Sequence, residues 1–435
     1  MYDGRTTDVT RGPAAWIRRH PAAALAAVAV LMGCVVVALL RWRLWGGQVP
    51  SPAPVRLSDW FDPAAVARNR GFRRGLWIMA AVGAVLTPLA AIVVACLGRW
   101  WRPVVVRLAG ARPWRAGLLL GAALAVTATV VTLPLSAARF AWGRGHGVIT
   151  QPTGAWLLDV LRALGVQMVI MGLLGCLVAV LVWRLPRAWW AALGVAIAAF
   201  AFAMSMLAPV LIEPLFQRTE PLRDATLRAQ VLDLAHRAGV EADDVRVNDA
   251  SARTTAANAY VSGLGDSRRI VLYDTLVRDF PDDEVRMVVA HELTHVQRGH
   301  ILKGTTWVAA LALPVCLLLF AVVGWRTGFA PAGRGREGCD LVVRRVAVLV
   351  AGAAVIGVLA MPLENAVSRS YEREADAGAL ALTGDDVEAA IGIQQGLVRL
   401  SRGVPDPPAV VNLWFGSLPT TLERIGLALR VGEDR

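Results

Sequence analysis

The sequence predicts a predominantly α-helical, polytopic membrane protein with seven transmembrane helices and a small α+β polar unit, and three observations carry that prediction. Hydrophobic residues make up 56% of the 435 residues, and the mean hydropathy is +0.51, both outside the range of ordinary soluble domains. Seven stretches of 18 or more residues carry no Asp, Glu, Lys or Arg: 21–40, 75–98, 116–138, 163–183, 188–212, 304–325 and 346–363. Each is long enough to cross a bilayer, which takes about 20 apolar residues at about 1.5 Å rise each. Outside them lie just two long polar pieces, an insert at 213–303 and a tail at 364–435.

These boundaries divide the chain into 1–212 with five transmembrane helices, the insert 213–303, spans six and seven at 304–363, and the tail 364–435. The insert opens on a Pro-rich turn at Glu213-Pro214 and an amphipathic helix near 222–238. Runs rich in Val, Ile and Tyr at 244–249, 256–263 and 269–274 then read as strands separated by Gly-containing turns. Pro281-Asp282-Asp283-Glu284 reads as a helix start, with acidic residues where first-turn amides favour them, and the helical pattern continues to about Gly299. The Gly- and Arg-rich stretch 326–343 reads as a mobile linker. Because two spans separate insert and tail, both emerge on one side of the membrane and can meet.

The formal net charge of +12 would suggest nucleic acid in a soluble protein. Here the arginines cluster at span ends, as in Arg73, Arg74, Arg99, Arg102, Arg344 and Arg345, where lipid phosphates and snorkelling account for them. The expected partners are membrane lipids and no nucleic acid. Cys34, Cys96, Cys176 and Cys316 fall in predicted spans and Cys339 in the linker, which excludes a disulfide framework and a C-x-x-C metal pair.

His291-Glu292-Leu293-Thr294-His295 sets two imidazoles one turn apart on a helix face, the spacing that lets both bind one zinc ion. Glu292 beside them is placed to take the proton of a zinc-activated water as it attacks a peptide carbonyl. A catalytic zinc needs a third protein ligand. The tail supplies acidic residues in a helix-compatible run: Glu372 and Asp376 are one turn apart, so that one can ligate while the other orients a ligating imidazole. On spacing alone Glu364 and Glu374 remain rivals.

These residues resemble the type I CAAX prenyl endopeptidases, integral-membrane zinc metalloproteases of the gluzincin group. Ser-Arg-x-x-Glu-x-x-Ala-Asp at 368–376 is similar to that family's third-ligand motif, which implies Glu372 as the third ligand to Zn2+, one ion per chain, and Asp376 behind it. Asn258-Ala259-Tyr260-Val261-Ser262-Gly263-Leu264 and the run from Arg269 to Leu276 look like the family's edge-strand segment and following strand. Asn258, Ala259 and Tyr260 are the implied substrate-binding residues, pairing an extended peptide along a strand edge. Pro214-Leu215-Phe216 with Pro221-Leu222 looks like the family's segment after the fifth span. The implied architecture is seven helices enclosing an intramembrane chamber, capped by a small α+β gluzincin domain. The implied partner is a peptide or protein substrate, lipidated or membrane-bound.

One departure stands out. Where the family carries a His-Pro pair whose histidine steadies the transition-state oxyanion, this chain has Leu418-Pro419, and leucine cannot donate a hydrogen bond. His300 and Tyr371, with Arg369 close by, are the residues to consider for a compensating or structural part. His20, His146 and His236 read as interfacial or surface residues. Two other readings compete: a membrane-protein quality-control protease like the smaller HtpX-type relatives, and a pseudoprotease or chamber carrier weakened by Leu418. An intact Glu292 argues against the last, since a scaffold has no use for it. The expected location is the cell membrane with the catalytic side cytoplasmic. The seven arginines of 41–74 agree with that orientation, whereas the five each of 98–115 and 326–345 oppose it.

Overall fold

The computed structural model describes residues 30–36, 38, 47–212, 215, 218–263 and 268–433. Most of the predicted first span, 21–40, and the Pro214 and Phe216 positions lie outside the described residues. Among the described residues six helices are long and apolar enough to cross a membrane. Membrane helices α1 (Pro63–Cys96), α3 (Pro113–Gly145), α4 (Thr153–Arg184) and α5 (Trp189–Leu211) precede the insert, with the short amphipathic α2 (Gly98–Leu108) after α1. Asp62 caps α1 by accepting the Ala64 and Ala65 amides at 3.0 Å each, and Pro63 supplies a first-turn residue that has no amide to satisfy. Ile78, Val85, Val130, Val169 and Val195 point outward, an apolar exterior that lipid, not water, accommodates.

The insert contains β1 (Thr219–Pro221), α6 (Ala225–Arg237), β2 (Asp244–Asn248), β3 (Ala259–Ser262), β4 (Arg269–Tyr273), α7 (Asp274–Asp279) and α8 (Asp282–Gln297). Its sheet has the order β1-β2-β4-β3, with β2 and β4 parallel and the outer pairs antiparallel. β3 is therefore an edge strand among the described residues. One core binds the insert to the tail. Leu227, Val231 and Leu234 of α6, Val245, Ile270 and Leu272 of the sheet, and Val285, Val289 and Leu293 of α8 pack together with Ile425 from the C-terminal helix.

Two membrane helices follow, α9 (His300–Thr327) and α10 (Gly335–Thr383). Between α8 and α9 stands Gly299 with φ 65°, a left-handed conformation that glycine adopts without penalty. A two-residue hinge thus ties the His-Glu-x-x-His helix directly to a membrane span. α10 is 49 residues long, roughly 70 Å at 1.5 Å per residue, so its first part crosses the membrane and its last part reaches the insert. The predicted linker is corrected here. From Gly335 it is already helix, because Cys339, Val342, Val343 and Val346 recur at helical spacing and bury one face. Cys339 is consequently buried in a helix, not placed in a loop. Arg345 folds back to donate to the carbonyl of Gly328 at 2.8 Å and holds the remaining turn.

The tail continues as α11 (Val387–Ser401), α12 (Ala409–Phe415) and α13 (Thr421–Glu433). The segment before α1, together with Arg73 of α1, straps it down. Ala53 donates its amide to Gly426 O at 2.9 Å, Gln395 Nε2 donates to Trp60 O at 2.9 Å, and Arg73 donates to the carbonyls of Ser401 and Arg402.

Gly378 of α10 faces Thr294 of α8 so closely that a Cβ there would strike the threonine side chain, which is fully buried and cannot give way. Gly378→Val is expected to force α10 off α8, costing about 1–3 kcal/mol. The check is a lower melting temperature of the detergent-solubilised protein, with metal content falling in parallel.

Candidate metal centre

His291 and His295 lie on α8 and Glu372 on α10, from polar pieces separated by two membrane helices. Their donor atoms lie within 4.8 Å of one another. His291 Nε2 is 3.0 Å from His295 Nε2 and 3.2 Å from Glu372 Oε2, and His295 Nε2 is 3.6 Å from Glu372 Oε1. A tetrahedral ion with bonds of about 2.05 Å holds its ligands about 3.3 Å apart, so the spacing fits a divalent ion.

The hydrogen-bonding chemistry points the same way. Nδ1 of His291 sits 2.9 Å from Asp376 Oδ1, approaching it obliquely, and a carboxylate neighbour assigns the proton to Nδ1. Nε2 of His291 then carries a lone pair toward His295 and toward a carboxylate. Lone pairs converging at such distances repel unless a cation lies among them. Asp376 is itself fixed by Arg424, whose Nε donates to Oδ2 at 2.9 Å and whose Nη2 donates to Oδ1.

Charge follows from this crowding. Burial works against a charged His291, but Asp376 and Glu372 outweigh it and raise its pKa well above the ordinary imidazole value. Burial, together with the charge on His291, lowers His295. Burial pushes Glu292 up to about 7, Glu372 adding to the rise and His291 opposing it.

The centre opens into a cavity of about 640 Å³ whose lining includes Asn258, Tyr260, Glu292, Gln394, Leu418 and Arg424. Asn258 and Tyr260 face it from the edge strand. Ala259 does not: the strand alternation turns its side chain into the core, where it is 2% exposed, leaving its backbone as what it can offer. His300 and Tyr371 lie behind the centre, their rings stacked at 4.6 Å and 11°, and line the membrane cavity instead. Arg369 donates to Asn412 O at 3.0 Å and also to Gly416 O, bracing the turn that leads to Leu418. Of the rival carboxylates, Glu364 lines the membrane cavity and Glu374 bonds His300, 3.1 Å from its Nε2. His146 packs on Phe72 and Trp142, and His236 is exposed; His20 lies outside the described residues.

Arg424 and Gln394 had no role assigned from the sequence. Arg424 stands in Leu422-Glu423-Arg424-Ile425 at the start of α13, and its signal was a lone arginine amid the apolar face of an amphipathic helix. Gln394, 8% exposed on α11, gave none.

A polytopic helical protein that brings a His-Glu-x-x-His helix and a carboxylate from a second helix to one point is a membrane metallopeptidase. The sequence profile of peptidase family M48 matches residues 221–430, and that of the CAAX prenyl protease N-terminal region, five membrane helices, matches 57–218. An uncharacterised metalloprotease of Bacillus subtilis, YhfN, is 31% identical over 311 residues, 69% of this chain and 70% of that one. CAAX prenyl protease 1 of Saccharomyces cerevisiae is 30% identical over 335 residues, 72% of each chain. The crystal structure of S. mikatae Ste24p superposes with a TM-score of 0.73 at 22% identity, covering 96% of this chain and 99% of that one. The chain belongs to peptidase family M48.

Removing one donor is expected to empty the centre without unfolding the chain. Glu372→Ala should lower bound metal from about one ion to a small fraction of one per chain, read by elemental analysis of protein that still melts cooperatively, at a lower temperature.

Proposed function

We propose that this metallopeptidase is a zinc endopeptidase in which His291, His295 and Glu372 hold the ion and Glu292 is the general base. The observation that carries the reading is the meeting of two Nε2 atoms with the two oxygens of the Glu372 carboxylate at 3.0–3.6 Å, with Glu292 on the same helix and in the same cavity. Zinc bound there would polarise the scissile carbonyl and lower the pKa of water toward about 7. Glu292 takes a proton from that water at its carboxylate and returns it to the leaving amine. Asp376 keeps His291 in the Nδ1–H tautomer, and Arg424 keeps Asp376 ionised and aimed. An extended peptide pairs along the outer side of β3 near Asn258 and Tyr260, beside the centre.

A second cavity of about 1010 Å³ lies among the membrane helices, lined chiefly by Leu, Ile, Val and Ala. Ile301 borders both spaces, so a peptide at the centre can keep an apolar portion in the membrane cavity. We therefore assign lipidated or membrane-bound peptides as substrates and the cell membrane as the site of action, with the centre facing the cytoplasm. The similarity to a yeast CAAX prenyl protease, 30% identical over 335 residues, supports the lipidated-substrate part of this assignment.

Glu292→Gln should retain zinc and lose about 10²–10⁴ in turnover, measured with purified protein on farnesylated and unmodified versions of one peptide. Unchanged turnover by this variant would end the reading, and equal cleavage of the two peptides would remove the lipid preference alone. Leu418 lines the cavity and offers no hydrogen. If an oxyanion donor is what that position lacks, Leu418→His will raise kcat by about 10²–10³ with KM little changed.

A further inference from the structure

The two metal-binding imidazoles are supported differently. His291 has a carboxylate directly at its Nδ1. His295 has another imidazole: its Nδ1 lies 2.9 Å from Nδ1 of His300. On the far side, Nε2 of His300 lies 3.1 Å from Glu374 Oε2. That oxygen also accepts the Gly47 amide at 2.8 Å, while Arg298 Nε is 3.5 Å from Oε1 and Lys303 Nζ is 3.8 Å from Oε2. His300 and Glu374 are both buried, at 4% and 8% exposure.

Hydrogen bonding allows one polarity for this chain. A ligating Nε2 on His295 has no proton, so Nδ1 of a neutral His295 must donate. Its partner, Nδ1 of His300, must then be the acceptor, which puts the His300 proton on Nε2, where Glu374 receives it. The backbone amide and the two cations around Glu374 keep it an acceptor. Every link is fixed by the one behind it.

We propose that His300 and Glu374 are positioning residues for the metal centre, a carboxylate–imidazole relay that sets the tautomer and ring orientation of His295. This rests on the ligand assignment above and extends it to a layer the His-Glu-x-x-His pattern does not contain. Outer partners of metal-bound histidines typically contribute 10–100-fold in metal affinity. The relay also joins the segment before α1, through Gly47, to the centre.

The alternative is that His300 is simply packing, since its ring stacks on Tyr371. Two substitutions separate the two roles. His300→Phe keeps a ring on Tyr371 and loses both nitrogens. His300→Asn loses the ring but places an amide oxygen where Nδ1 stood. The measurement is zinc affinity of the full-length protein by chelator competition, together with the visible spectrum of the cobalt-substituted form. The relay requires zinc affinity about 10–100-fold weaker in His300→Phe with an altered cobalt spectrum, and His300→Asn much nearer to wild type. Glu374→Leu against Glu374→Gln should repeat that order, because glutamine still accepts from Nε2. Wild-type affinity in His300→Phe, or Asn weaker than Phe, would overturn the relay. Wild-type protein that binds no zinc would instead overturn the ligand assignment, so the two failures are distinct.

Discussion

The contact between α8 and α10 is the constraint on which the rest of this structure depends. Two helices far apart in the chain must approach until Thr294 touches the bare backbone of Gly378. Only at that separation does Glu372 reach both imidazoles and Asp376 reach the back of His291. Burying two carboxylates beside two imidazoles is unfavourable unless positive charge is shared among them. A metal ion held there would supply that charge, which would link the packing of the helices to the affinity for metal.

Support for that contact comes from several parts of the chain. Arg424 arrives from the C-terminal helix and clamps Asp376 with two donors, an arrangement stronger than a single neutral bond. The segment before α1 holds the tail through Ala53 and Trp60 and meets Glu374 through Gly47, and α1 itself holds the tail through Arg73. α9 begins two residues past α8 and packs on α5, so the metal helix is an extension of the membrane bundle. A centre held from so many directions is rigid, which is what positioned acid–base chemistry requires.

The surroundings divide the labour between water-facing and lipid-facing parts. The edge strand and α11 wall the catalytic cavity with Asn258, Tyr260 and Gln394, groups able to pair with a peptide. Below it the membrane cavity is aliphatic.

Much of this was written in the sequence. Charge-free runs marked the spans that are described, because an unpaired charge is costly in hydrocarbon. The imidazole spacing placed His291 and His295 on one face of α8, because one helical turn repeats nearly every four residues, and β-branched runs marked β2 and β4. Tertiary structure decided what local pattern cannot carry. Spacing left Glu364, Glu372 and Glu374 as rivals in one helical run, and only the direction in which α10 meets α8 sorts them: one toward the imidazoles, one toward His300, one toward the membrane cavity. The linker at 326–343 looked mobile since its composition is polar, yet its apolar minority falls on one helical face and is buried. Arg424 and Gln394 escaped notice for the same reason. Their importance lies in what they touch across the fold, and contact between distant residues is a property of packing, not of sequence order.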